Sequence, residues 1–76
     1  MEKTFGMRSV GIDFNPSGDE RVYKTKKLCA DLIDMVEEHI NTYENKSWII
    51  NVFRTAAFNA IITAQMQIVK FLTWKK

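Results

Sequence analysis

Apolar residues recur at helical spacing over two long stretches of the chain. In the first stretch they follow steps of three, four and seven residues as Val22, Cys29, Ile33, Val36, Ile40 and Tyr43, and Leu28, Leu32 and Met35 widen the stripe. Such steps place side chains on one face of a helix. The pattern predicts a first helix over residues 19–44.

The second stretch, residues 47–73, is apolar around most of the helix circumference. Its apolar residues are Ile49, Ile50, Val52, Phe53, Ala57, Phe58, Ile61, Ile62, Met66, Ile68, Val69 and Leu72. One partner helix cannot cover this surface, so the helix is expected to be buried in a larger assembly or in a membrane. A membrane span needs about 20 mostly apolar residues, whereas the stretch between Arg54 and Lys70 is shorter and contains polar residues that include Asn59, Thr63, Gln65 and Gln67. We favour a protein assembly. A membrane-active peptide with Trp48 and Trp74 at the interfaces stays an alternative.

The first 18 residues contain all three glycines and the single proline. Pro16 fixes its own φ and restricts Asn15 to extended geometry, and Gly18 permits conformations closed to other residues. We expect an irregular segment over residues 1–18, after which Ser17 or Asp19 caps the first helix.

The predicted fold is all-α, a single domain over residues 1–76. A polar run gives a short connection near Asn45, which makes the two helices an antiparallel hairpin. A chain of 76 residues has marginal stability alone, and the single Cys29 cannot form an internal disulfide. We therefore expect a homo-oligomer. The mixed charges of the first eight residues do not form a secretory signal, which favours the cytoplasm.

Charge is distributed unevenly along the chain. The net charge is only +2, which argues against a dedicated DNA-binding domain. All nine acidic residues lie at or before Glu44, and the ionisable residues after it are Lys46, Arg54, Lys70, Lys75 and Lys76. A surface formed by the second half would attract anions.

The sequence contains no recognisable catalytic constellation. His39 lies beside two glutamates on the expected exposed side of the first helix, and neither Ser17 nor Cys29 has a histidine nearby to act as a base. The acidic residues from Asp31 to Glu38 are better interpreted as a solvated face than as a metal site. We expect no enzyme activity, no metal and no cofactor.

Two basic residues are harder to place on a solvated face. Lys26 lies between Val22 and Cys29 at steps of four and three, on the apolar stripe, so its ammonium must reach solvent or meet an anion. Arg54 lies inside the most apolar segment, where a guanidinium needs a carboxylate, a phosphate or an aromatic face. Snorkelling to solvent, an ion pair with the first helix and a ligand site are all open for these residues.

The segment Phe14-Asn15-Pro16-Ser17-Gly18-Asp19, followed by Val22, Lys26 and residues 30–34, resembles the phage anti-CBASS protein 2 family. Its members are cyclic-oligonucleotide sponges, and their helical hairpin domain is shared with a phage Thoeris inhibitor. The resemblance implies a homohexamer in the cytoplasm of the infected bacterial host. It also implies immune evasion by sequestering cyclic dinucleotides such as 3′,3′-cyclic GMP-AMP without cleavage.

The resemblance covers residues 14–40 well and residues 53–71 more weakly. In the second region Met66, Val69 and Lys70 match a Met-x-x-Val-Lys pattern.

The family also implies roles for individual residues. Phe14 corresponds to an aromatic that stacks on a base, and Lys26 to a pocket lysine that meets phosphate. Asn15, Pro16 and Ser17 would shape the rim of the pocket.

A second pocket in this family binds cyclic trinucleotides through an arginine followed by a threonine. Arg54 and Thr55 match that dipeptide. When the two sequences are aligned at Met66, however, this pair lies about one helical turn before the family's arginine and threonine, and Phe58 occupies the aligned position. An oligomeric inhibitor that binds a host protein through an exposed helix face stays the alternative function.

Overall fold

The computed structural model describes residues 2–44 and 47–75 of the chain. Three helices follow in order: α1 spans Phe5–Val10, α2 spans Glu20–Ile40 and α3 spans Trp48–Thr73. All regular structure in the described residues is helical, which confirms the predicted all-α class.

Helix α1 was not predicted, and the expectation of an irregular segment over residues 1–18 is wrong for this part. The Thr4 hydroxyl accepts a hydrogen bond from the Met7 N–H at 3.1 Å and caps its start. Gly11, at a φ of 63°, ends it in the left-handed conformation that glycine adopts without strain. A helix of six residues is too short to form on its own propensity, so contacts with α2 must stabilise it.

Gly6 is the point at which α1 approaches α2 most closely. Its N–H donates a hydrogen bond of 2.7 Å to the Asp34 carboxylate. A Cβ at position 6 would lie 2.1 Å from the carbonyl oxygen of Ala30, so only glycine fits this crossing.

Helix α2 begins as the sequence predicts. The Asp19 carboxylate accepts a hydrogen bond from the Arg21 N–H at 2.8 Å, which confirms Asp19 as the cap. The Arg21 side chain also bonds this carboxylate, and that hydrogen bond holds the pKa of Asp19 below its ordinary value.

Both long helices are shorter than predicted. Helix α2 ends at Ile40 and not at residue 44, because the chain turns there: the Asn41 N–H bonds the Glu38 carbonyl and the Thr42 hydroxyl bonds the His39 carbonyl. Helix α3 begins one residue later than expected. The connection predicted near Asn45 falls at residues outside the described part of the chain.

The core lies mainly between α1 and α2. Its buried cluster consists of Val10, Ile12, Cys29, Ala30 and Ile33, and partly buried Phe58, Ile61 and Ile62 of α3 pack against it. Within α3 itself, Gln65 is the one described residue that is buried. Most of the apolar surface of α3 is therefore not covered by this chain.

The molecule is elongated and flat. Its extents are 49 × 30 × 13 Å and its radius of gyration is 14.1 Å, against about 11 Å for a compact domain of this length. The accessible surface is 5991 Å², whereas a compact monomer of this mass exposes about 4800 Å². None of the helices in the described residues has the length and apolar content that a membrane crossing requires.

A candidate ligand-binding groove

A groove of about 430 Å³ opens between the turn that precedes α2, the first part of α2 and the last part of α3. We call it the Phe14 groove. Its lining residues are Phe14, Asn15, Pro16, Ser17, Val22, Lys26, Gln65, Met66, Val69, Lys70 and Thr73. The structure thus brings together five of the predicted site residues, and it adds the Met66, Val69 and Lys70 pattern from the far end of the sequence.

The turn that forms the rim is fixed by its own polar side chains. The Asn15 amide donates to the Asp19 carbonyl at 3.0 Å, and the Ser17 hydroxyl donates to the Asn15 amide oxygen at 2.7 Å. The Asp19 N–H bonds the same hydroxyl, and Gly18 adopts a φ of 65° that a side chain would strain. Asn15 and Ser17 therefore shape the rim.

Phe14 presents an open aromatic face at this rim. The residue is 72% exposed. The Lys26 ammonium lies 5.4 Å from the ring centroid, within the range of a cation–π interaction. The ring is thus positioned, and its outer face is free to stack on a flat ligand.

Lys26 is buried, with 5% of its surface exposed, as its position on the apolar stripe predicts. Its ammonium donates hydrogen bonds to the Gly11 carbonyl at 3.0 Å and to the Phe14 carbonyl. Sequence reasoning did not foresee these partners, because they depend on the path of the turn. Burial lowers the pKa of the Lys26 ammonium below its ordinary value of 10.5.

Lys70 is a cation of the Phe14 groove to which sequence reasoning gave no role. Its side chain is exposed, and its ammonium lies 5.8 Å from the Trp74 ring centroid. The signals in the sequence were the purely basic second half of the chain and the spacing of Lys70 from Met66.

Arg54 and Thr55 lie outside the Phe14 groove. The Arg54 guanidinium donates two hydrogen bonds to the Glu37 carboxylate, at 2.9 Å and 2.7 Å. Of the alternatives left open by the sequence, the structure therefore shows the ion pair with α2, the first of the two helices predicted from the sequence. These hydrogen bonds raise the pKa of Arg54 above its ordinary value. Arg54 lines a second, largely apolar groove of about 450 Å³, between the end of α2 and the start of α3, and Thr55 is exposed.

The other reactive side chains are accounted for by their surroundings. His39 is exposed and its Nε2 lies 3.1 Å from the Tyr43 hydroxyl. Cys29 is buried in the core, and burial raises the pKa of its thiol. The carboxylate of Asp31 pairs with Lys27, and over the described residues no group of three or more potential ligands could hold a metal ion.

Comparisons of the chain with protein-family models, with curated proteins and with solved structures each found no match.

Proposed function

We propose that this protein is a phage anti-defence sponge. It binds cyclic dinucleotides of the 3′,3′-cyclic GMP-AMP type and sequesters them without cleavage, which blocks activation of CBASS effectors in the infected cell. The observation that carries this proposal is the Phe14 groove itself. Two separate parts of the sequence resemblance, the Phe14 turn with Lys26 and the Met66 to Lys70 segment, line one cavity.

The groove offers the chemistry that a cyclic dinucleotide requires. Such a ligand carries two flat bases and two phosphates. The exposed face of Phe14 suits a base, because stacking needs only a π surface. Val22, Met66 and Val69 provide apolar walls, and Lys70 provides positive charge. The volume falls within the range of about 300–1,000 Å³ that is usual for small-molecule sites.

The lining of the groove favours binding over catalysis. Its described residues include no carboxylate, histidine or thiol, and the Ser17 hydroxyl and the Lys26 ammonium already donate to the Asn15 amide oxygen and to backbone carbonyls. A ligand held there meets aromatic, aliphatic, hydroxyl and ammonium groups. This composition supports retention of the messenger intact.

The proposal includes an antiparallel hairpin that assembles into a homo-oligomer, with the hexamer as the expected form. Glu37 near the end of α2 pairs with Arg54 near the start of α3, whereas Val22 near the start of α2 shares a groove with Thr73 at the end of α3. Opposite ends of the two helices therefore meet. The chain exposes about 1,200 Å² more surface than a compact monomer would, an area of the size that stable interfaces bury.

Cyclic trinucleotides are a secondary part of the proposal. A contact with Arg54 would use the guanidinium N–H groups that do not bond Glu37, or would displace that carboxylate. Thr55 is exposed and accessible to a ligand shared between copies.

The function is tested by calorimetric titration with 3′,3′-cyclic GMP-AMP. Phe14→Ala should weaken binding by about 5- to 150-fold, because base stacking on an aromatic is worth about 1–3 kcal/mol. Phe14→Tyr should retain binding. Phe53→Ala is the matched control, since Phe53 is 65% exposed but lines the other groove. Absence of heat from the unchanged protein at high micromolar ligand, or equal affinities for the Phe14→Ala and Phe53→Ala variants, would refute the proposal.

One observation favours the alternative, an oligomeric inhibitor of a host protein. Leu28, Leu32 and Met35 form an exposed apolar stripe on α2, at the spacing by which a helix face docks on a partner. Leu32→Asp separates the two functions. A sponge should keep its nucleotide affinity in this variant, whereas an inhibitor should lose its target.

A further inference from the structure

Two lysines line the Phe14 groove, but their ammonium groups have different surroundings. An ammonium has three N–H donors. Lys26 directs two hydrogen bonds at the carbonyls of Gly11 and Phe14, and it is almost fully buried. The negative ends of two carbonyl dipoles therefore lie against its charge, and they reduce the positive potential that reaches the groove. An anion at Lys26 would find one donor free.

Lys70 lies on the opposite wall of the groove and is open to solvent. In the part of the chain that the structure describes, no carboxylate lies within ion-pair distance of its ammonium. Helix α3 contains no acidic residue, so Lys70 has no neutralising neighbour on its own helix. Its charge and its donors remain available to a ligand.

Lys70 also joins the Phe14 groove to a neighbouring surface. It lines a separate depression with Gln67, Phe71 and Trp74, distinct from the groove at Arg54, and its ammonium lies over the exposed Trp74 ring. A cation thus lies between two regions that each present an exposed aromatic ring, Phe14 and Trp74. This order of groups matches a ligand in which phosphates separate two bases.

We propose that Lys70 is the residue that contacts a ligand phosphate, that Trp74 offers the second stacking face, and that Lys26 is a positioning residue that holds the Phe14 turn. This inference rests on the proposed function, because it assigns roles within the same site. It departs from the sequence resemblance, which implies that Lys26 meets the phosphate.

The experiment uses the full chain with Trp48→Phe, so that Trp74 is the single tryptophan. Trp48 lies at the start of α3, about 39 Å from Trp74 at 1.5 Å per residue, and outside the Phe14 groove. The probe is 3′,3′-cyclic GMP-AMP, titrated at several salt concentrations. In this background Lys70→Ala is compared with Lys24→Ala, which removes the same charge from an exposed position of α2 outside the groove.

We expect the ligand to quench Trp74 and Lys24→Ala to bind within about twofold of its parent. Lys70→Ala should bind about tenfold more weakly, and the slope of log affinity against log salt should become shallower, because one charge attraction that salt screens is lost. Lys70→Arg should restore both values. If Lys70→Ala binds like Lys24→Ala with an unchanged salt slope, the role of Lys70 is refuted while the sponge function stands. If the parent shows no binding, by fluorescence or by calorimetry, both proposals fail.

Discussion

The substitution Gly6→Ala tests how α1 is attached to the rest of the domain. Alanine normally stabilises a helix relative to glycine by about 0.5–1 kcal/mol, so propensity alone predicts a more stable protein. The structure predicts the opposite. The new Cβ would lie 2.1 Å from the Ala30 carbonyl oxygen, and ordinary contact begins at 3.4 Å, so α1 must move outward by about 1.3 Å.

That movement lengthens the hydrogen bond from the Gly6 N–H to Asp34 from 2.7 Å to about 4 Å, which breaks it. A hydrogen bond to a charged group contributes about 1.5–3 kcal/mol. Loosened packing of Val10 and Ile12 adds to the loss, and the gain in propensity offsets part of it. We expect a net destabilisation of about 2–3 kcal/mol.

The assay is urea unfolding followed by circular dichroism at one fixed protein concentration, because association changes apparent stability. Gly18→Ala is the control: it has no neighbour within 4 Å, and its positive φ should cost about 1–2 kcal/mol. A Gly6→Ala protein as stable as the unchanged chain, or more stable, would refute the close crossing of α1 and α2.

Three further predictions concern Lys26, the buried thiol of Cys29 and the ion pair between Glu37 and Arg54. Burial lowers the folded-state pKa of Lys26, so the unfolded state binds the proton more tightly. The free energy of unfolding, relative to that of Lys26→Met, should therefore rise as pH increases through the lowered pKa and level off above 10.5. Urea titrations from pH 7 to 11 measure this difference, and a fall with increasing pH would contradict the prediction. The Cys29 thiol should react with Ellman's reagent about 100-fold more slowly in the folded protein than in urea, and comparable rates would show that the core is open. Glu37 and Arg54 should have a coupling energy of only about 0.2–1 kcal/mol, because 39% of the Arg54 side chain is exposed. A double-mutant cycle of Glu37→Gln and Arg54→Met measures this energy, and a value above about 2 kcal/mol would contradict the prediction.

Features set by local sequence were predictable. The cap at Asp19 follows from a short polar side chain before a periodic apolar run, and the burial of Lys26 follows from steps of four and three. The turn at Asn15 to Gly18 follows from its residue types. Each of these depends on residues that are close together along the chain.

Features set by contacts between distant segments could not be predicted in the same way. Helix α1 carried local signals, Thr4 at its start and Gly11 at its end, but Gly6 in its first turn opposes helix formation. Its stability comes from the contact with Ala30 and the hydrogen bond to Asp34, and neither can be deduced from residues 5–10 alone.

The hydrogen-bond partners of Lys26 and Arg54 also depend on contacts between distant segments of the chain. The spacing of Lys26 indicated that its ammonium needs an unusual partner, but the choice between an anion and two carbonyls depends on where the turn passes. For Arg54, the sequence left an ion pair and a ligand site open, and the packing of α2 on α3 brings Glu37 to it.

Native mass spectrometry of the purified protein with 3′,3′-cyclic GMP-AMP measures the mass of the assembly and of its bound ligand in one experiment. We expect a homo-oligomer that gains whole numbers of intact ligand, and heating should release the nucleotide with its mass unchanged. A monomer without bound ligand, or release of a linear or hydrolysed nucleotide, would refute the proposal that the protein is an oligomeric sponge.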